Sequence, residues 1–308
     1  MSRLLVALIV AALAPAAAGC GLGPGEAKTG GVELRVTRDF GQRELGAPAR
    51  MAKLRDSDTV MRFLQGSRKV ATRFGGGFVQ SIAGLQGNQT AEHDWFYFVN
   101  GSEASVGAAD YKLSPGDVVQ WDYRNWHATQ HVPAIVGAYP EPFVHGMKGK
   151  RLPTRVECEQ EDSKPCTEVG DSLAKYGANV TSAPLGSPST TFALRVIVAK
   201  FSTVSRIRAI TALESGPATT GVYARFNAAG TGLDLLGDSG AVARTAPPGT
   251  GLLAATQPPA QAITWVVTGV DDAGVQRAAA ALDPAKLRDA FAVAVTPTGI
   301  VKLPVGAR

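Results

Sequence analysis

The chain has 308 residues, of which 45% are hydrophobic and 19% charged, so it is long enough for about two domains. This composition can bury a core and excludes a disordered, collagen-like or coiled-coil chain. Its 35 glycines and 19 prolines favour strands and turns over a helical bundle. The net charge of +5 comes from basic residues that are densest over 50–73 and 147–155. Because stacking aromatic residues do not interleave with these stretches, we expect no nucleic-acid partner. We interpret them as solvated surface, with a weak attraction to anionic envelope polymers as the alternative.

The first residues have the pattern of an export signal. A single positive charge at Arg3 precedes an unbroken apolar run over 4–14. Such a run is too short to cross about 30 Å of hydrocarbon as a helix, but it suits a secretory signal. Small residues follow and lead directly to Cys20.

Small residues immediately before a cysteine resemble the lipobox of bacterial lipoproteins, although Ala17 stands where that motif usually has leucine. The resemblance implies a lipoprotein signal peptide over 1–19, a lipid on Cys20 and a tether over 20–31. It also implies that the protein is attached to the extracytoplasmic face of the cell membrane. The alternative is ordinary cleavage near Ala18, which leaves an unlipidated thiol.

The two remaining cysteines, Cys158 and Cys166, are eight positions apart. An even pair in an exported chain predicts a local disulfide. The alternative of two metal-binding thiolates is disfavoured because neither histidine nor a further cysteine lies near them in the sequence.

Residues 32–135 have the pattern of one unit, in which strands predominate and one helix follows the first strand. Asn100-Gly101 favours a type I′ turn because both residues tolerate positive φ. The predicted elements are, in chain order, a strand over 32–36, a helix over 59–70, and strands over 78–82, 95–99 and 118–123.

Two motifs in this unit resemble the transcobalamin-like C-terminal domain, a module of cobalamin carriers and of bacterial surface lipoproteins. The matching residues are Asp94, Trp95, Tyr97, Val99, Asn100, Gly101, Tyr111, Leu113, Gly116, Asp117, Val119, Trp121 and Tyr123. The resemblance implies an α+β, β-grasp-like domain over 32–145, with a helix laid across a mixed sheet. The carriers enclose the corrinoid between this module and a helical α-barrel, and no such α-barrel is recognisable in this chain.

The sequence from residue 150 onwards alternates strands with helices, which predicts a separate α/β domain over 150–308. We recognise no family for this half. Its predicted elements include a helix over 167–176, strands over 191–198 and 263–267, a helix that begins at Asp271-Asp272, and a strand over 291–295.

Alternation places Trp95 and Tyr97 on one face of their strand and Phe96 and Phe98 on the other. One set can fill a core while the other forms a platform for a planar ligand or a partner; the alternative is that both sets are core. The candidate surface consists of Trp95, Tyr97, Asn100, Trp121, Tyr123 and Trp126.

His127 and His131 are four positions apart and would share one face of a helical turn. Ala128 occupies the position where a zinc peptidase needs glutamate, so that enzyme class is excluded in this form. A metal site on the two histidines is the minor alternative to hydrogen-bonded loop histidines, and no metal is predicted. The motif Gly-Asp-Ser-Gly over 237–240 imitates a serine-protease segment, but no histidine follows His145.

These features predict a non-enzymatic, extracytoplasmic lipoprotein that binds a ligand for a membrane transporter. No cofactor is expected, and cobalamin is the candidate ligand. The alternative is an adaptor or structural lipoprotein that presents the same aromatic surface to another envelope protein.

Overall fold

The computed structural model describes residues 28–188, 192–205, 207–258 and 261–307. The predicted signal segment and Cys20 therefore lie outside the described residues. Among the helices of these ranges, none combines the length and the apolar character needed to cross a membrane.

The first half of the chain forms a six-stranded sheet with a helix packed across it. The elements are β1 (Lys28–Arg38), β2 (Arg43–Glu44), β3 (Ala49–Leu54), α1 (Val60–Ser67), β4 (Val70–Arg73), β5 (Phe78–Ile82), β6 (Leu85–Gln86), β7 (His93–Val99), β8 (Ser102–Glu103) and β9 (Val118–Asn125). β1 runs parallel to β9, β9 is antiparallel to β7, and β7 is antiparallel to β8. β2 and β3 both pair with the other edge of β1, while β4, β5 and β6 form a small separate sheet.

Helix α1 forms where the apolar spacing predicts it. The Thr59 side chain caps its first turn by accepting a hydrogen bond from the backbone N–H of Arg62 at 3.2 Å. The apolar face of α1, which includes Phe63 and Leu64, is buried against the sheet. Burial of this face holds the helix in place, because an eight-residue helix is too short to be stable alone.

The second half of the chain forms a seven-stranded mixed sheet with short helices. The elements are β10 (Thr154–Cys158), α2 (Lys164–Lys175), β11 (Val180–Pro184), β12 (Leu194–Lys200), α3 (Phe201–Val204), α4 (Arg208–Thr211), α5 (Pro217–Thr220), β13 (Ala224–Phe226), β14 (Leu233–Leu236), β15 (Val242–Thr245), β16 (Gly251–Thr256), β17 (Thr264–Gly269), α6 (Asp272–Ala279), α7 (Pro284–Leu287), β18 (Ala292–Thr296) and β19 (Gly299–Leu303). The strand order is β11-β10-β12-β17-β16-β18-β19, parallel from β11 to β17 and antiparallel beyond. The chain is thus of mixed α/β class, and the β-grasp assignment of its first half stays a prediction.

The predicted disulfide is confirmed. Cys158 at the end of β10 is bonded to Cys166 in the first turn of α2. Helix α2 begins at Lys164, three residues before the predicted start, and a proline lies in its first turn. Proline is tolerated there because the first N–H groups of a helix have no intrahelical partner.

One face of the second sheet is covered by α2, α6 and a segment around Tyr139 and Phe143. The other face packs on the small sheet β13–β15 and on side chains of the first half. Phe40 and Phe98 belong to this hydrophobic cluster, together with Ile197, Tyr223 and Phe291. The two halves of the chain therefore bury apolar side chains against each other.

The turn between β1 and β2 carries one apolar contact at this junction, and Phe98 of β7 makes another, with its ring centroid 5.3 Å from that of Phe291. Phe40 is 1% exposed, and its ring centroid lies 4.9 Å from that of Tyr223 and 5.2 Å from that of Phe291. Its φ is 59°, a left-handed conformation that is strained for a bulky residue. Gly41 follows at φ 72°, and a Cβ there would lie 1.7 Å from the carbonyl oxygen of Asp289.

The carboxylate of Asp122 on β9 holds this turn. It accepts hydrogen bonds from the Thr37 hydroxyl at 2.6 Å and from the backbone N–H groups of Phe40 and Gly41 at 3.0 and 2.9 Å. Complete burial raises the pKa of Asp122 to about 6, although these three donors act in the opposite direction.

We expect Asp122 to make the stability depend on pH. Its carboxyl binds a proton more tightly in the folded chain, where its pKa is about 6, than in the unfolded chain, where a free aspartate has a pKa of about 3.9, so stability falls as pH rises from about 4 to about 7. The contribution of one such group is up to about 3 kcal/mol.

Urea unfolding at a series of pH values measures this slope. Asp122→Asn should flatten the fall between pH 4 and 7, since the amide does not titrate. An Asp122→Asn chain with the same slope as the parent chain contradicts the assignment.

Candidate functional site

Most of the sequence-predicted aromatic surface is buried beneath α1 and the β4–β6 sheet. Trp95, Trp121 and Tyr123 are 6%, 3% and 7% exposed. The Trp95 indole N–H donates to the carbonyl oxygen of Leu85 at 3.0 Å, and the Tyr123 hydroxyl donates to that of Gln86 at the same distance. These three rings fill the hydrophobic core of the first half of the chain and offer no face to a ligand.

Tyr97 and Asn100 also make internal contacts. The Tyr97 ring stacks on Trp121 with 4.9 Å between centroids, and its partial burial raises the pKa of its hydroxyl. Asn100 is fully buried, and its amide donates to Asp117 Oδ1 at 2.9 Å and to the Gly146 carbonyl oxygen at 2.8 Å. Asn100 adopts φ 53°, which agrees with the predicted turn.

Trp126 is the member of the predicted set that lines a large surface groove. This groove has a volume of about 630 Å³ and lies beside the edge formed by β7 and β8. We call it the junction groove, because the segment that joins the two halves forms one wall and Gln257 of the second half contributes to it. Its lining residues are Gln89, Asp94, Phe96, Glu103, Ala104, Ser105, Trp126, Gln130, His131, Pro133 and Gln257.

Arg124 supports the wall of the junction groove from within. Its side chain is 0% exposed, and its guanidinium lies 3.8 Å from the centroid of the Phe96 ring. It donates to the carbonyl oxygens of Asn125, Thr129 and Gln130 at 3.2, 3.1 and 2.8 Å. One buried cation therefore fixes both an aromatic ring of the groove and the loop that carries Trp126.

The junction groove contains two partly buried carboxyl groups. Burial raises the pKa of Glu103, while Arg124 at 3.8 Å and His131 at 3.5 Å act in the opposite direction. Burial also raises the pKa of Asp94, against the backbone N–H of Trp95, which donates to its carboxylate at 2.8 Å. Carboxylates in this setting accept hydrogen bonds from amide or hydroxyl groups of a ligand.

The two candidate metal-binding histidines pair with different carboxylates. His127 Nδ1 lies 2.6 Å from Glu92 Oε2, whereas His131 Nδ1 lies 3.5 Å from Glu103 Oε2. The segment is not helical, so the four-residue spacing does not by itself place the two rings side by side. No cluster of three or more potential metal ligands occurs in the described part of the chain.

Sequence reasoning missed most of the junction groove. Phe96 had a usable signal, since strand alternation places it opposite Trp95. Glu103 and Gln257 had none, because only the folded chain brings residues so distant in sequence together.

A smaller cavity of about 310 Å³ lies at the carboxyl ends of β10 and β12. The amino group of Lys200 lies 3.0 Å from a carboxylate oxygen of Asp272 in its lining. Glu159 also lines this cavity, so its charged groups are one cation and two carboxylates, and the one cation is already paired.

One comparison with known proteins is located in the first half of the chain. Residues 57–125 match a family model described as "Domain of unknown function (DUF4430)". A "putative metal binding protein" from Ruminococcus gnavus ATCC 29149 is similar in structure to 31% of this chain and 97% of its own, with 13% identity and a TM-score of 0.26. No curated protein is detectably similar to the chain. The transcobalamin-like assignment stays a prediction.

We predict that Arg124→Lys loosens the groove wall. Lysine keeps the charge but cannot reach three carbonyl oxygens from a planar fork, so buried carbonyl groups lose their partners. The free energy of unfolding, measured in urea, should fall by about 2–4 kcal/mol. Arg244→Lys, at an exposed position of β15, is the control and should change it by less than about 0.5 kcal/mol. Equal effects of the two substitutions would exclude the supporting role of Arg124.

Proposed function

We propose that this chain is a non-enzymatic binding module, held at the outer face of the cell membrane by a lipid on Cys20. In this proposal the junction groove captures a planar ligand that carries hydrogen-bonding groups and presents it to a membrane transporter. A corrinoid is the first ligand to test, because the motifs around Trp95 and Trp121 resemble those of the cobalamin carriers.

The observation that carries the proposal is the composition and size of the junction groove. Its volume of about 630 Å³ falls within the range of about 300–1,000 Å³ that is typical of small-ligand sites. Phe96 and Trp126 supply aromatic surface on which a planar ligand can stack. The lining contains three glutamines, whose amides can both donate and accept hydrogen bonds, as the amide groups at the rim of a corrin ring require.

The groove chemistry supports binding rather than catalysis. Ser105 is the lining hydroxyl and His131 the lining imidazole. Among the hydrogen bonds of the described residues, none joins these two side chains, and His131 is directed to Glu103 instead. A serine nucleophile needs a base within hydrogen-bonding reach.

An adaptor role is the second candidate, and an exposed aromatic pair favours it. Phe74 and Phe78 on the β4–β5 hairpin are 86% and 41% exposed, with ring centroids 6.3 Å apart. Phe78 lines a small cavity that shares Gln89 and Asp94 with the junction groove. A partner protein that covers this pair would also reach the groove.

We predict that Trp126→Ala weakens binding of cobalamin about tenfold, since loss of one aromatic stacking contact costs about 1.4 kcal/mol. Isothermal titration calorimetry measures this affinity without interference from the absorbance of the ligand. Phe192→Ala, which removes an exposed aromatic ring outside the groove lining, is the matched control and should leave the affinity unchanged.

Two outcomes oppose the ligand proposal. The first is absence of binding at ligand concentrations of about 100 μM, because a dissociation constant above about 100 μM is too weak for capture. The other is a partner protein whose co-isolation depends on Phe74 but not on Trp126, which favours the adaptor role instead.

A further inference from the structure

The two basic stretches of the sequence, over 50–73 and 147–155, meet in part at one end of the folded chain. This end is where β1 begins. In the β1–β3 pair, Lys28 lies opposite Leu54 and Thr29 lies opposite Lys53. Lys53, near the end of β3, therefore lies beside the first described residues of the chain.

Two loops complete this end of the molecule. The backbone N–H of Gly116 donates to the carbonyl oxygen of Gly31 at 3.1 Å, which places the 112–117 loop beside β1. A Cβ on Gly149 would lie 2.9 Å from Ser114 Oγ, so the 147–150 turn packs against that loop. Both loops carry lysines.

We call the resulting surface the basic end, and its exposed cations are Lys53, Arg55, Lys112, Lys148 and Lys150. None of the five takes part in a salt bridge among the described residues. Asp56 forms a salt bridge with Lys28 at 3.0 Å. The acidic residues that remain near the five cations are Asp58 and Asp110. The basic end therefore carries a net positive charge.

We propose that the basic end is a docking surface for an anionic phospholipid membrane. The position of the tether favours this partner, and here the inference rests on the proposed lipid at Cys20. Residues 20–27 span at most about 28 Å when fully extended, so a lipid on Cys20 keeps Lys28 within that distance of the membrane. The basic end is then the part of the protein next to the headgroups.

The attraction between the cations of the basic end and anionic headgroups has a measurable effect on membrane binding. Each lysine or arginine at an anionic membrane surface strengthens binding about fivefold, and the attraction decays over about 8 Å at physiological ionic strength. Docking by the basic end orients the protein on the membrane, which a lipid on Cys20 alone does not.

The test uses a chain that begins at Gly21, so that neither the signal segment nor an acyl chain contributes. Every residue of the three described hydrophobic clusters lies at or beyond Val32, so this chain keeps the complete described core. Co-sedimentation with vesicles of phosphatidylcholine containing about 30% phosphatidylglycerol measures the partition coefficient. We expect binding that weakens with salt and is absent with phosphatidylcholine alone.

The decisive variant is Lys53→Glu/Lys112→Glu/Lys148→Glu, which should lower the partition coefficient at least about a hundredfold. The matched control is Lys164→Glu/Lys175→Glu/Lys286→Glu, which makes the same change of net charge on α2 and α7 and should lower it less than about threefold. Circular dichroism spectra of both variants, compared with that of the parent chain, check that the variants are folded.

Three results would overturn the proposal: no binding to phosphatidylglycerol vesicles, an equal loss of binding in both triple variants, or binding to soluble polyphosphate as tight as to vesicles. The last result would assign the basic end to a soluble polyanion. Because the groove variants Trp126→Ala and Arg124→Lys leave the basic end intact, failure of this test and failure of the ligand proposal are distinguishable.

Discussion

The insertion of Phe40 into the second half of the chain is the contact on which the rest of the structure depends. Phe40 reaches this position because its turn adopts positive φ, a conformation that costs about 1–3 kcal/mol for a residue other than glycine. The buried carboxylate of Asp122 and the aromatic contacts with Tyr223 and Phe291 offset that cost. The turn therefore acts together with other contacts between the halves, which include the Phe98–Phe291 ring pair and the hydrogen bond from the Gln120 amide to the carbonyl oxygen of Asp289.

The junction groove depends on this contact, since its walls come from both halves. Phe96 and Trp126 belong to the first sheet and the loop after it, whereas Gln257 follows β16 of the second sheet. Arg124 links the junction to the groove, because its guanidinium lies over the Phe96 ring and 5.6 Å from the centroid of Phe40. A shift of one half against the other would change the distance between groups that face the same ligand. The proposed binding function thus requires a rigid junction.

Local features of this fold were predictable from the sequence, and features that depend on packing were not. The strand over 95–99, the turn at Asn100 and the disulfide each rest on residues close together in the chain. Alternation separated Trp95 from Phe96 but did not tell which face of the strand would be covered. The sequence gives no sign that Phe40 adopts positive φ, because that conformation is stabilised by Asp122, more than 80 residues later. The groove was hidden because it collects residues from distant parts of the chain. The two basic stretches were visible in the sequence, but their meeting at one surface was not.

The central claim is that the two halves form one cooperative unit across the Phe40 contact. Fluorine NMR of the chain labelled with 5-fluorotryptophan, recorded during urea unfolding, tests it most directly. Trp95 and Trp121 report on the hydrophobic core of the first half of the chain, whereas Trp265 reports on the core beside the seven-stranded sheet of the second half. We predict that the three signals lose their native positions at the same urea concentration, as expected for a single cooperative transition. Separate midpoints for Trp265 and the other two would contradict it, because they would show that the halves unfold independently.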